Sequence, residues 1–162
     1  MHWKKITLVG VGLLGGSLGL ALKRRRLARE IAGCVRRAAS VKECAEVGAV
    51  DYATTDLLAA VWNADLVILC TPIAQMPALV EQMRPALKRG AIVTDVGSVK
   101  ANLVERLEGT ITAAGAHFVG SHPMAGTEKT GVSAADEDLF AGAICVVTPT
   151  NGTGQQIFVG GI

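Results

Sequence analysis

Residues Gly10-Val11-Gly12-Leu13-Leu14-Gly15 spell G-x-G-x-x-G. The apolar run Lys4 to Val9 precedes them and reads as a short buried strand; Ser17 to Arg25 follows and reads as a helix. In that setting each glycine has its own duty. The first makes the tight turn, the second lets a pyrophosphate reach the backbone, and the third lets helix and strand pack closely. The chemistry is anion binding, because the first N–H groups of a helix and its dipole favour phosphate. Gly10, Gly12, Leu13, Leu14 and Gly15 are therefore expected to hold the phosphates of a dinucleotide.

The same pattern asks for an acid about 20 residues on, at the end of the second strand, to bind the ribose hydroxyls. Val35 stands at that distance from Gly15, and Arg36, Arg37 and Ser40 follow it. An arginine there can take a 2′-phosphate through charge-assisted bonds and stack on an adenine. NADP is thus expected over NAD, with NAD the alternative. The competing reading of these arginines is a solvated turn.

A second candidate lies in "VGSHPMAGTEKTGV", residues 119–132. His122 is read as following a strand, and Pro123 keeps it out of helical geometry. Histidine is the natural general base near neutral pH; the alternative is a loop histidine bonded to a backbone carbonyl. Ser98 in "TDVGSVK" suits the N-cap of a helix starting near Lys100 and could also bond a substrate hydroxyl. Asp95 reads as buried and bonded to backbone, Cys70 as packing, and Thr71-Pro72 as cofactor lining. His2 and His117 read as structural.

These residues need a scaffold to bring them together. Ile31–Arg36, Ala49–Ala53, Asp65–Thr71, Ala91–Val96, His117–Ser121 and Ala143–Thr148 read as further strands. Between them Ser40–Val47, Asp56–Trp62, Ile73–Lys88 and Lys100–Ala114 read as helices. This alternation implies an α/β fold, a doubly wound, mostly parallel sheet of Rossmann type. In such sheets ligands bind at the carboxyl ends of the strands. The turns at Gly10–Gly15, Arg36-Arg37, Thr71-Pro72, Gly97-Ser98 and His122-Pro123 should then form one site.

Composition narrows the classes. The run from Ile6 to Leu22 is uncharged and flanked by basic residues, as in a signal peptide or membrane anchor, but its glycines oppose a helix interior. With 162 residues one domain is expected. A net charge of +2 is too mild for a nucleic-acid partner. Cys34, Cys44, Cys70 and Cys145 form no C-x-x-C and read as reduced core residues, with no metal. The expectation is a cytoplasmic protein with no membrane segment.

Together "GVGLLGGSLGLAL", "VILCTPI", "IVTDVGSVK" and "GSHPMAGTEKTGV…LF…VVTPT" resemble the N-terminal domain of prephenate/arogenate dehydrogenases of tyrosine biosynthesis. The resemblance covers roughly residues 4–150. It implies oxidative decarboxylation: hydride leaves the ring carbon bearing the substrate 4-hydroxyl, His122 takes the hydroxyl proton, and loss of CO2 makes the ring aromatic. Ser98 would hold the hydroxyl and orient His122, and Thr127 and Glu128 would line the pocket mouth. The arginines after the second strand are similar to NADP-using members. The substrate would be prephenate or arogenate.

The resemblance also implies a helical C-terminal domain that makes a homodimer and completes the substrate pocket. Residues 151–162, "NGTGQQIFVGGI", read instead as an atypical Gly-rich tail after a domain of residues 1–150. The chain as given is expected to lack that helical domain, to bind NADP and to turn over poorly. The alternatives are another NADP-dependent oxidoreductase or a non-catalytic nucleotide-binding module.

Overall fold

The computed structural model describes residues 3–98 and 101–150, with backbone only for 101–103. The tail at 151–162, His2 and the cap near Lys100 lie outside the described residues.

Seven strands form one sheet in the order β3-β2-β1-β4-β5-β6-β7. They are β1 (Trp3–Val9), β2 (Ala28–Cys34), β3 (Tyr52–Thr54), β4 (Leu66–Leu69), β5 (Ile92–Asp95), β6 (His117–Pro123) and β7 (Cys145–Thr148). The first six run parallel, and β7 pairs antiparallel with β6. The helices are α1 (Leu13–Arg24), α2 (Ala38–Val47), α3 (Leu57–Val61), α4 (Met76–Met83) and α5 (Ala101–Ala113). The order reverses between β1 and β4, which is where a doubly wound sheet opens a crevice.

β4 shows why the sheet is covered on both faces. All four of its residues are buried. Val67 and Leu69 pack with Val80, Met83, Leu107, Ile111 and Phe118 under α3, α4 and α5. Leu66 and Ile68 pack with Ile6, Leu8, Ile31 and Cys44 on the side of α1 and α2. Alternation along a strand sends neighbours to opposite faces, so a continuous apolar run serves two cores. Fully burying a side chain such as Ile111 contributes roughly 1.5–3 kcal/mol.

Local signals set several boundaries. Gly48 caps α2 with φ of 72°, and Asp56 caps α3 by accepting from the Ala59 N–H at 3.0 Å. The expected helix over 73–88 is broken: α4 is flanked by single 3-10 turns at Ile73–Gln75 and Arg84–Ala86. Pro85 has no N–H to continue the ladder to Glu81. The third strand forms at Tyr52–Thr54, later than expected, where it can pair with Ala32–Cys34. At the opposite edge of the sheet from the strand ends, Asp65 accepts from the Lys4 and Lys5 N–H groups at 2.9 and 3.1 Å and pairs with Lys88.

Two further expectations need correction. Cys145 is exposed on β7 rather than in the core, because β7 is an edge strand. Arg36 does not end the second strand, since β2 closes at Cys34 and the Val35 N–H already turns to the Thr54 carbonyl at 2.9 Å. No described helix is long and apolar enough to cross a membrane.

Candidate active site

Four of the five expected turns follow β2, β1, β4 and β5, the fifth lies at the end of β6, and these strands are consecutive neighbours in the sheet. Backbone bonds stitch them together. The Gly10 N–H donates to the Cys34 carbonyl at 2.9 Å, Cys70 N–H to Val9 at 2.8 Å, and Val96 N–H to Leu69 at 3.1 Å. Gly97 lies against Ile73 of the neighbouring turn.

At the first turn, Gly10 has φ of +94°, a conformation open to glycine. α1 starts at Leu13, earlier than the expected Ser17, so Leu13, Leu14 and Gly15 form its first turn. A Cβ on Gly15 would lie 2.1 Å from the Gly10 carbonyl oxygen and 3.3 Å from the Cys70 Cβ. A Cβ on Gly12 would meet nothing within 4 Å. The helix has no side-chain cap and no acid in its first turn. Open space at Gly12 before uncapped N–H groups fits a diphosphate, which would satisfy those donors.

Beside this turn, Thr71 Oγ1 is buried without a hydrogen-bond partner among the described residues. Pro72 next to it is exposed. Cys70 donates to the Ile68 carbonyl at 3.8 Å. Burial, with the Asp95 carboxylate adding to it, pushes the Cys70 thiol up to about 12. It stays protonated at neutral pH and acts as packing.

Arg36 and Arg37 are both exposed after β2. Arg37 reaches the Ser40 Oγ at 3.3 Å and Glu43 at 4.0 Å. Arg36 makes no such contact among the described residues, so its guanidinium is the one available to a ligand.

The substrate-side turns are held by a small polar cluster. Asp95 is fully buried. Its Oδ2 accepts from the Gly97 N–H at 2.8 Å and its Oδ1 from the Ser121 N–H at 3.2 Å. Ser121 Oγ donates to the Asp95 carbonyl at 2.7 Å, and Thr94 Oγ1 to the Val119 carbonyl at 2.6 Å. Ser98 follows as an exposed residue at the turn. Asp95 is buried and backbone-bonded as its sequence context suggested; Thr94 and Ser121 escaped notice. Their signal was two hydroxyls inside otherwise apolar strands.

His122 does not follow its strand, as expected, but sits on it. β6 runs on to Pro123 because β7 returns antiparallel and pairs His122 with Val146. His122 is half-buried, and its Nδ1 is enclosed without a hydrogen-bond partner among the described residues. A buried polar atom left unpaired costs about 1–3 kcal/mol. Thr71 Oγ1 and His122 Nδ1 share this deficit, and both lie in the same strand-end row.

Beyond His122 the chain passes through exposed Thr127 and Glu128, where the Lys129 N–H donates to Thr127 Oγ1 at 3.0 Å. It then returns to α1. The Asp136 N–H donates to the fully buried Ser17 Oγ at 2.9 Å, and Arg24 pairs with Glu137 and Asp138 at 3.0 and 2.8 Å. Ser17 was missed because its partner lies 119 residues away. The helix whose first turn carries no side-chain cap also anchors the loop that carries the candidate substrate residues.

Known proteins share this fold. The family model described as prephenate dehydrogenase, nucleotide-binding domain, matches residues 18–159. The glycine turn stands before that match and rests on its own geometry. A prephenate dehydrogenase of Lactococcus lactis subsp. cremoris (strain MG1363) is 36% identical over 146 residues, covering 90% of this chain and 41% of that protein. The crystal structure of prephenate dehydrogenase from A. aeolicus in complex with hydroxyphenyl propionate and NAD+ superposes with a TM-score of 0.89 at 32% identity, over 98% of this chain and 55% of that one. Synechocystis arogenate dehydrogenase gives a TM-score of 0.87 at 37% identity, over 96% and 53%. The chain thus spans about half or less of each relative. With its doubly wound sheet, glycine turn and strand-end row, the chain belongs to the family of prephenate dehydrogenase nucleotide-binding domains.

Proposed function

We propose that this chain is the dinucleotide-binding part of an enzyme that oxidatively decarboxylates prephenate or arogenate, with NADP preferred over NAD. The observation that carries the reading is the buried, unpartnered Nδ1 of His122 in the same strand-end row as the open cradle at Gly12.

Gly10, Gly12, Leu13, Leu14 and Gly15 would hold the diphosphate on the uncapped end of α1. Arg36 would take the 2′-phosphate, with Arg37 and Ser40 beside it, and Thr71 and Pro72 would line the next stretch. The cofactor, when bound, supplies a hydride acceptor. His122 binds the 4-hydroxyl of the ring and takes its proton as hydride leaves the carbon that bears it. The bond to the ring carboxylate then breaks, CO2 departs, and its electron pair completes the aromatic ring. Ser98 holds the hydroxyl, while Thr127 and Glu128 border the mouth. The same reading takes the enzyme to be cytoplasmic and homodimeric, with residues 1–150 as the nucleotide domain.

The test begins with titration of the chain with NADPH and NADH followed by fluorescence. Dehydrogenation of prephenate and of arogenate is then measured for wild type and His122→Asn. Tighter NADPH than NADH binding is expected, retained in the variant, with turnover lowered by about 10²–10⁴-fold. Absence of dinucleotide binding, or full turnover by His122→Asn, would overturn the reading.

A further inference from the structure

We propose that Asp95 is a positioning residue that sets the separation of Ser98 and His122 by holding the backbone immediately before each of them. The inference rests on the catalytic reading just given and adds how that pair is kept in register.

The parallel ladder between β5 and β6 ends at the pair Thr94–Val119. Ser98 and His122 both lie past it, where strand pairing no longer fixes one chain against the other. The Asp95 carboxylate takes over there. Its Oδ2 accepts the N–H of Gly97, one residue before Ser98, at 2.8 Å. Its Oδ1 accepts the N–H of Ser121, one residue before His122, at 3.2 Å. Ser121 Oγ closes the bracket by donating to the Asp95 carbonyl at 2.7 Å, and Thr94 Oγ1 lies 3.0 Å from Ser121 Oγ.

The choice of residue is informative. A fully buried carboxylate is costly unless it is hydrogen-bonded, and a valine would suit an interior parallel strand better. Asparagine has one acceptor oxygen, and its amide would turn N–H groups toward one of the two backbone donors. Only a carboxylate of this length accepts at both ends. The arrangement trades burial cost for a fixed distance between two loops that carry separate parts of the chemistry.

The test uses Asp95→Asn and the whole chain. The variant is expected to bind dinucleotide within about threefold of wild type, while kcat falls about 10–100-fold, the scale of a misplacement on the order of 1 Å. In a His122→Asn background the same change should cost less than about twofold, since the group it positions is gone. Histidine ring resonances report independently of turnover: those of His122 should shift and broaden, and those of His117 should not. A lowered melting temperature with kcat and the His122 resonances unchanged would overturn the proposal, leaving Asp95 as a stabilising turn residue. Should Asp95→Asn lose dinucleotide binding through misfolding, Ser121→Ala decides. It keeps both carboxylate bonds and drops the Oγ bond to the Asp95 carbonyl, so smaller shifts at His122 are expected, and unchanged resonances count against the bracket. Should wild type bind no dinucleotide, the functional reading fails, and the ring resonances still settle the role of Asp95.

Discussion

A methyl group on Gly15 would stand 2.1 Å from the carbonyl oxygen of Gly10, so the turn and the first helical turn close against each other with no room for a side chain. Two residues earlier, Gly12 faces open space. The two glycines belong to one motif but do different work, and substitution separates them. Gly15→Ala should destabilise the chain by roughly 1–3 kcal/mol and abolish dinucleotide binding together, because the backbone must move. Gly12→Ala should change stability by less than about 0.5 kcal/mol while weakening dinucleotide binding at least tenfold. Urea unfolding and fluorescence titration of the two variants check this.

The two arginines after β2 should also separate. Arg36 has no hydrogen bond or ion pair to give up among the described residues, whereas Arg37 is drawn toward Ser40 and Glu43. Arg36→Asp is expected to weaken NADPH by about 10–100-fold, the loss of a charge-assisted bond, and to leave NADH within about threefold. Arg37→Asp should have the smaller effect. Equal loss for both dinucleotides in Arg36→Asp would place that side chain against a part they share, such as the adenine, and not on the 2′-phosphate.

Thiol reactivity offers a check on the core. Burial, with Asp56 adding to it, pushes the Cys34 thiol up to about 11, and burial likewise raises Cys44, while Cys70 reaches about 12. Cys145 alone among the four is exposed. A thiol reagent at pH 8 should titrate one fast group in the native chain and four in denaturant. Cys145→Ser should remove the fast phase.

Acid stability should depend on Asp65. Burial alone would raise this carboxyl; the hydrogen bond from Lys88 and the N–H groups of Lys5 and Lys4 outweigh it and hold it below its ordinary value of 3.8. A carboxyl lowered on folding stabilises above its unfolded pKa and loses that contribution as pH falls through its folded pKa. Asp65→Asn should therefore cost roughly 1–2 kcal/mol at pH 7, and the difference from wild type should shrink as pH falls below 3.8 and through the lowered folded pKa. Denaturant unfolding across that range measures both ends.

Much of the scaffold could be read from local pattern. β4 announced itself as a short apolar run, α2 by the glycine after Val47, and α3 by Asp56. The helix expected over 73–88 ends early because Pro85 overrides the apolar period around it. His122 was placed after its strand because the partner that lengthens β6 lies more than twenty residues further on, in β7. No local pattern records such pairing.

Types and spacing of residues by themselves determined that a strand–turn–helix opens the chain, that helices and strands alternate, and that polar turns follow the strands. Those properties depend on neighbours along the chain, through backbone conformation and side-chain period. Tertiary structure alone decided which turns stand side by side, that Arg36 rather than Arg37 is open to a ligand, and that Ser17 holds the loop at Asp136. It also decided that Asp95 reaches Ser121 across 26 residues to hold two loops at one distance. These depend on strand order and on bonds between groups far apart in sequence, which form only once the sheet has assembled.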